Sequence, residues 1–375
     1  MNVLMISLDK SLLSNKPLGD VVERMNKYAQ GVDRLDILIF NSQNQEKKLS
    51  DNLTIFGSGG FSKIVQLLNG LKKAKELSKE KHLITTQDPF FTGLLGWRTS
   101  KFYEVPLVVE LHGDFFGEEW KKERLINRFL LKIAKIVVKS ANKIRVVNAK
   151  IKEDLVNLGI DRNKIEIWPV AVNLDKFQQY KEDKVFGIKS DLGGSPLILF
   201  AGSLIKTKSV GDLLGAFKLF FNQHKESKLV IIGDGPERKI LESKVQELEL
   251  NNSVAFLGTI SQEELINYYH ACDFFVLPSA HESFGRVIIE AGSARKPVIS
   301  TKTSGAVWYL KDGVDGYLVE IHNINELAQK MNYVWEHYDE AKLAGKKLYQ
   351  KVYHLFHYDM QIQKIIKLWK SVAKV

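Results

Sequence analysis

Phe274-Phe275-Val276-Leu277-Pro278-Ser279-Ala280-His281-Glu282-Ser283-Phe284-Gly285-Arg286-Val287-Ile288-Ile289-Glu290-Ala291 reads as an apolar strand that ends at Pro278, a polar loop that carries Glu282, and a helix that takes in Glu290. Gly285 lets backbone approach a ligand closely at the turn between loop and helix. A loop that runs straight into a helix leaves amides unpaired at the helix start, where a phosphate or sugar oxygen finds donors. Glu282 and Glu290 stand eight positions apart, so the two carboxylates can accept hydrogen bonds from different sets of hydroxyls. That spacing by itself is equally the spacing of two solvated charges. The surrounding Pro-Ser, Ser-Phe-Gly and Glu-Ala are what favour a site.

Outward from this stretch the same rhythm repeats in both directions. Before it lie strand-like runs at Leu197 to Ala201, Lys228 to Ile232 and Val254 to Leu257, and after it at Val298 to Ser300 and Gly316 to Val319. A second series occupies the first half: Val3 to Ser7, Leu35 to Phe40, Leu83 to Thr86, Leu107 to Leu111, Lys143 to Val147 and Ile165 to Trp168. Amphipathic stretches such as Asp20 to Gln30, Ser62 to Lys79 and Lys122 to Ala141 separate them. This is the βαβ pattern of parallel sheets covered by helices. Gln178 to Ser195, with its run of Lys, Glu and Asp and its Gly193-Gly194-Ser195-Pro196, is the expected linker. The predicted class is α/β, two doubly wound Rossmann-like domains facing each other across a cleft, spanning residues 1–178 and 179–357. A final helix over 358–375, with Ile362, Ile365, Ile366 and Trp369 at helical spacing, is expected to return to the first domain.

Composition excludes several classes. With 375 residues, 45% hydrophobic and 26% charged, the chain has the makings of a globular protein with more than one core. The lone Cys272 cannot form an internal disulfide, and the nine histidines never join it in a zinc spacing, which points to a reducing, cytoplasmic setting without structural metal. The start of the chain lacks the basic segment and cleavage site of a signal peptide and reads as a strand. Residues 1–200 carry 32 Lys and Arg against 24 Asp and Glu, so the excess of the +10 total lies in the first half. Such a bias suits an anionic membrane surface, a nucleic acid or a phosphorylated ligand. The chain contains no Gly-x-Gly-x-x-Gly, phosphate-loop, Gly-x-Ser-x-Gly or Cys-x-x-Cys motif, and no Asp-x-Asp pair to hold a divalent metal. Phosphate must then be handled by amides, helix dipoles and cations.

The segment quoted first resembles the signature of the retaining glycosyltransferases of family four, enzymes of two Rossmann-like domains in the GT-B arrangement. Phe200-Ala201-Gly202-Ser203-Leu204 with Lys208, Ile231-Ile232-Gly233-Asp234-Gly235-Pro236-Glu237, Val254-Ala255-Phe256-Leu257-Gly258 and Gly313-Val314-Asp315-Gly316-Tyr317-Leu318-Val319 resemble further elements of that family. In the first half Glu110-Leu111-His112-Gly113 and the segment Ile167 to Phe177 match it. The resemblance implies transfer of a sugar from a nucleotide diphosphate donor, UDP by prior expectation only, to a hydroxyl of a glycan or lipid-linked glycan, with retention and without metal or other cofactor. It places Lys208 on the donor pyrophosphate, the amides near Phe284 and Gly285 on phosphate or sugar, and Glu282 on donor-sugar hydroxyls. Glu290 would hold the ribose and His112 would face the transferred sugar.

Two departures bear on this. Where the family usually has arginine stands Ser203, which donates a hydrogen bond but no charge; Lys206 or Arg286 are the candidates to compensate. The loop after the first strand, where the family often shows paired glycines, is Lys16-Pro17-Leu18-Gly19-Asp20, and Gly19 and Asp20 become the acceptor-side candidates. The Ser203 departure also motivates an alternative, a catalytically weak GT-B subunit that binds sugar nucleotide within a glycan assembly complex. A GT-B-like epimerase would need further acid and base groups that have no place in the sequence. Finally, Arg128, Lys132, Lys135 and Lys139 align on one helix face, with Phe129, Leu130, Ile133, Ile136 and Val137 expected on the buried remainder. The face is either a solvated ridge or a peripheral contact with an anionic membrane, at the inner face of the cell membrane. No nucleic acid partner is expected.

Overall fold

The structure, a computed structural model, describes residues 1–14, 20–117, 120–121 and 125–373. In the first unit, β1 (Asn2–Ser7), β2 (Arg34–Ile39), β3 (Glu46–Ser50), β4 (Leu53–Gly57), β5 (Leu83–Thr86), β6 (Leu107–Leu111), β7 (Lys143–Val146) and β8 (Ile165–Ile167) form one sheet in the order β3-β4-β2-β1-β5-β6-β7-β8. Every pairing is parallel except the edge pair of β3 with β4. The helices that cover it are α1 (Val21–Gln30), α2 (Lys63–Leu77), α3 (Phe91–Tyr103), α4 (Leu125–Ser140) and α5 (Ala149–Asn157). The central strands are buried along nearly their whole length, as strands covered on both faces must be, which is why they read as continuous apolar runs. β3, with the sequence Glu-Lys-Lys-Leu-Ser, is half exposed at the edge, where lysine guards against edge-to-edge pairing.

The second unit contains α6 (Glu182–Leu192), β9 (Leu197–Ala201), α7 (Val210–Gln223), β10 (Lys228–Ile232), α8 (Arg238–Glu247), β11 (Val254–Gly258) and α9 (Gln262–Ala271). It continues with β12 (Phe274–Leu277), α10 (Arg286–Ser293), β13 (Val298–Thr301), α11 (Ser304–Tyr309), β14 (Tyr317–Val319), α12 (Ile324–Glu336) and α13 (Tyr338–Phe356). Its sheet runs β11-β10-β9-β12-β13-β14 with all pairs parallel, so strand order reverses between β9 and β12. Ligands of such sheets bind beyond the carboxyl ends of the strands at that reversal. The loops after β9 and β12 are those that carry Lys208 and Glu282.

Two boundaries differ from expectation. The chain divides between Ala171 and Val172, not between 178 and 179. The reason lies in the turn Asp175–Gln178, which packs onto the second unit: Phe177 is buried against Tyr269 with ring centroids 6.0 Å apart, and His270 Nε2 lies 2.6 Å from its carbonyl. The segment read as a linker is in large part the helix α6. None of its residues is buried, so its charges face solvent, and it is held to α9 by contacts such as Lys181 N–H to Asn267 Oδ1 at 2.9 Å.

The last helix, α14 (Tyr358–Val372), belongs to the first unit. Ile362, Ile365, Ile366, Leu368 and Trp369 are buried in a cluster with Met25, Tyr28, Leu35 and Ile37, and the rings of Trp369 and Tyr28 stand 5.3 Å apart. The helix thus covers one side of a core begun by β1 and α1. Trp369→Ala should lower the stability of the first unit by about 3–5 kcal/mol, the usual cost of emptying an aromatic site; denaturant unfolding followed by circular dichroism measures it.

Candidate active site

The carboxyl edge of the second sheet is stitched together by backbone. Gly202 N–H donates to Ile232 O at 2.9 Å, Gly233 N–H to Gly258 O at 2.8 Å, and Leu204 N–H to Asp234 O at 3.0 Å. A Cβ on Gly233, whose φ is +132°, would sit 1.9 Å from the carbonyl oxygen of Gly202, so only glycine permits the two loops to touch here. The turn Lys206–Lys208 follows. Its Thr207 carbonyl accepts from Ala280 N–H at 2.9 Å, which ties the loop after β9 to the loop after β12. From there Glu282 O accepts from Gly305 N–H at 2.8 Å and from Ser304 Oγ at 3.2 Å, which brings in the loop after β13.

These ties set Lys208 and Glu282 side by side. Lys208 Nζ forms an ion pair with Glu282 Oε2, and both side chains are largely shielded from solvent. An ammonium has three donors, so this one can hold the carboxylate and still present N–H groups to a pyrophosphate. Gly285, at φ +74°, caps the start of α10, and its carbonyl accepts from the buried Tyr309 hydroxyl at 3.1 Å. Phe284 turns inward, buried between Tyr309 and Phe356 with ring centroids at 6.3 and 5.5 Å. It therefore anchors the loop through its side chain. Ser203 is exposed at the mouth of the β9 loop, as is Lys206.

Glu290 lies inside α10 and is buried. It accepts from Tyr269 Oη at 3.0 Å and from Arg286 Nε at 2.9 Å. Burial and the neighbouring carboxylate together push the Tyr269 hydroxyl well above its ordinary pKa. Arg286 is therefore engaged within its own helix, whereas Lys206 is exposed in the Ser203 loop. Tyr269 carries no short-range sequence signal, since it precedes Glu290 by 21 positions on another helix.

In the first unit His112 follows β6 and is half exposed, its Nε2 3.5 Å from Glu110 Oε2. Beneath it is a buried ionic network. Glu110 accepts from Arg145 NH1 at 2.5 Å and from Thr85 Oγ1 at 3.1 Å, while Arg145 Nε and NH2 donate to the carbonyls of Trp168 and Pro169, each at 2.8 Å. Burial opposes ionisation of Glu110, but the Arg145 guanidinium and His112 outweigh it and bring the carboxyl down from 4.5 to about 2. The network holds the carboxylate that faces His112, which orients the imidazole. Arg145 went unassigned in the sequence, although a charge inside the buried strand Lys-Ile-Arg-Val was its signal. Asp20 is buried at the start of α1 with Arg24 NH1 at 3.2 Å. Gly19 lies outside the described residues.

The family model for Glycosyltransferase Family 4 matches residues 51–176 and that for Glycosyl transferases group 1 matches residues 182–351. A glycosyltransferase of Methanocaldococcus jannaschii, itself uncharacterized, is 30% identical over 276 residues, 72% of this chain and 71% of that protein. The chain belongs to the family 4 glycosyltransferases. The alpha-monoglucosyldiacylglycerol synthase of Acholeplasma laidlawii is 26% identical over 270 residues, 68% of this chain and 67% of that enzyme. Among solved structures of the GT-B fold, Anabaena HepE in complex with UDP-glucose superposes with a TM-score of 0.81 at 19% identity, covering 99% of this chain and 100% of that one. For a family 4 glycosyltransferase the two parallel α/β units are the expected fold.

The network under His112 has a pH signature. Glu110 contributes stability that is complete above its unfolded value of 4.5 and is lost as pH falls toward about 2. Arg145→Met would leave a buried carboxylate without its main partner, costing about 3–5 kcal/mol at neutral pH. Because that lone carboxyl would then prefer its proton, the deficit should shrink as pH falls below 4.5. Urea midpoints of both proteins at pH 7 and pH 3.5 check this: a deficit that stays constant or grows on acidification would contradict it.

Proposed function

We propose that this family 4 glycosyltransferase moves a sugar from a nucleotide diphosphate sugar to a hydroxyl of a lipid or lipid-linked glycan, with retention at the anomeric carbon and without a divalent metal. The Lys208–Glu282 pair at the laced carboxyl edge carries the reading. As the bond from the anomeric carbon to the donor phosphate breaks, negative charge grows on the leaving diphosphate, and Lys208 with the loop amides near Phe284 and Gly285 stands ready to stabilise it in place. The anomeric carbon becomes partly positive, a charge that Glu282 tolerates at the sugar hydroxyls. The acceptor oxygen bonds to that carbon on the face the phosphate leaves, and its proton passes to a phosphate oxygen of the donor. No protein nucleophile takes part. Glu290 holds the ribose hydroxyls, His112 faces the transferred sugar, and Asp20 serves the acceptor side.

The metal-free reading rests on the missing Asp-x-Asp pair and on Lys208 as a built-in cation. A UDP donor is favoured by the HepE likeness, and a lipid acceptor by the name of the Acholeplasma relative, a synthase of a glucosylated diacylglycerol. With such an acceptor the enzyme works as a peripheral protein at the cytoplasmic face of a membrane, consistent with a lone, buried cysteine. The exposed Ser203 favours one other outcome, a partner subunit that binds donor without turning it over.

Nuclear magnetic resonance of the products of a donor screen decides among these. Turnover with retained configuration is expected; inversion would overturn the mechanism, and binding without turnover would favour the partner subunit. Lys208→Ala should lower kcat by on the order of 100-fold or more, since it removes charge stabilisation that matters most in the transition state. Glu290→Gln keeps the side chain's shape and one acceptor oxygen but loses the charge that faces Arg286, and the ribose contact it tests is remote from bond breaking. It should chiefly raise the donor KM, and steady-state kinetics that showed an unchanged KM would remove Glu290 from the donor site.

A further inference from the structure

One face of the first unit takes no part in the chemistry described above. α3 packs between α2 and α4, and the three helices follow β4, β5 and β6 in turn across the parallel sheet. Right-handed crossovers in one direction place them in one layer, and each begins at the carboxyl edge of the sheet, the edge at which His112 follows β6.

This layer is apolar where a soluble surface should be polar. Phe61, Ile64 and Leu68, at i, i+3 and i+7 along the start of α2, are exposed, Phe61 at 92% and Ile64 at 72%. Leu125, Ile126 and Phe129 are exposed in the first turns of α4, Leu125 at 85%. Phe129 and Ile136 were expected on the buried side of α4. Instead Leu131, Ala134, Val137 and Val138 fill that side, and Phe129 and Ile136 share the solvent face with the cations. Among the described residues of the first unit, the only large exposed apolar side chain outside this layer is Leu8.

The charge on the layer has one sign along α4. Arg128, Lys132, Lys135 and Lys139 are all exposed, and from Leu125 to Lys143 there is no Asp or Glu. Lys72 is exposed further along α2, and Arg98 and Lys101 along α3. Among the described residues the exposed carboxylates of the layer are Glu76, paired with Lys73 at 3.5 Å, Glu80 just beyond α2 and Glu104 just beyond α3. Six of the exposed apolar side chains lie at the starts of α2 and α4, with Phe102 and Ile136 further along; Lys63 and Arg128 stand among the six, and the other cations follow behind them. Lys132 lies seven residues beyond Leu125, about 10 Å along the axis. That matches the roughly 5–10 Å to which interfacial helices sink their apolar groups below the lipid headgroups.

We propose that the carboxyl edge of this three-helix layer docks on an anionic bilayer, with Phe61, Ile64, Leu68, Leu125, Ile126 and Phe129 entering the acyl boundary and the cations behind them meeting lipid phosphates. Charge complementarity selects an anionic surface, and the apolar tip selects a bilayer over a soluble polyanion. Delivery of a lipid acceptor to the His112 side rests on the function proposed above, whereas the docking itself does not.

Vesicle cosedimentation of the full-length protein without donor tests the docking, using phosphatidylcholine vesicles with and without phosphatidylglycerol. Binding is expected only with the anionic lipid. Each surface cation contributes roughly fivefold to partitioning, so Lys132→Glu/Lys135→Glu/Lys139→Glu should weaken it by on the order of 100-fold or more. Phe61→Ser/Ile64→Ser/Phe129→Ser should weaken it as well, although no charge is changed. Equal binding to both vesicle types, or retention of binding by either triple variant, would overturn the proposal. So would loss of self-association in the same variants without any vesicle binding, which would assign the face to a second copy of the chain. Hydrolysis or transfer of the donor sugar in detergent solution, measured in parallel, should be unchanged in both variants. Its absence in the parent protein would count against the proposed activity and leave the docking result standing.

Discussion

The second unit depends on one close approach, the carbonyl of Gly202 lying where Gly233 would carry a side chain. Around that contact backbone hydrogen bonds join neighbouring loops along the sheet edge, Gly233 to Gly258, Gly202 to Ile232, Ala280 to Thr207 and Gly305 to Glu282. Side chains change rotamer readily, but a loop fastened at its backbone to loops on either side cannot move alone. The ion pair of Lys208 with Glu282 inherits its geometry from this lacing, as does the αL turn at Gly285. Electrostatic stabilisation works best when the charges need not reorganise during a reaction. A backbone-laced edge gives Lys208 and Glu282 that kind of fixed geometry.

The first unit reaches the same end by different means. There a buried ion pair, Glu110 with Arg145, lies across neighbouring strands and reaches the carbonyls of Trp168 and Pro169 at the exit from β8. Such pairs add little net stability, since both charges lose water. What this one supplies is position: the carboxylate below His112 and the backbone that leaves the sheet are fixed by one planar guanidinium.

The parallel core strands were legible because burial on both faces writes itself as unbroken apolar runs, as in Leu107–Leu111 and Phe274–Leu277. β3 and β4 escaped notice for opposite reasons. β3 is charged and lies at the edge, so it carries no apolar run, and β4, Leu-Thr-Ile-Phe-Gly, is a short apolar run separated from it by only two residues. α6 was misread because a helix that buries none of its residues has no apolar stripe to reveal it. Lys208, Glu282 and Glu290 stand in short stretches that single them out, but the partners Tyr269 for Glu290 and Arg145 for Glu110 come from another helix and another strand. Nothing local in the chain encodes which strand or helix will lie alongside. The exposed apolar residues of α4 were misplaced for a related reason: periodicity shows that a helix has an apolar side, but the neighbours decide which part of a broad one is covered.

The placement of α14 sets an order on synthesis. As the chain emerges, β1, α1 and the rest of the first unit appear early, yet Trp369 and its neighbours arrive only after the whole second unit has been made. Domains tend to fold in the order in which they leave the ribosome. Here the earlier one must wait with the wall around Met25 and Tyr28 bare while the later one closes. For that interval the nascent protein carries an open apolar trough, and it is the stretch of translation in which a chaperone has most to hold.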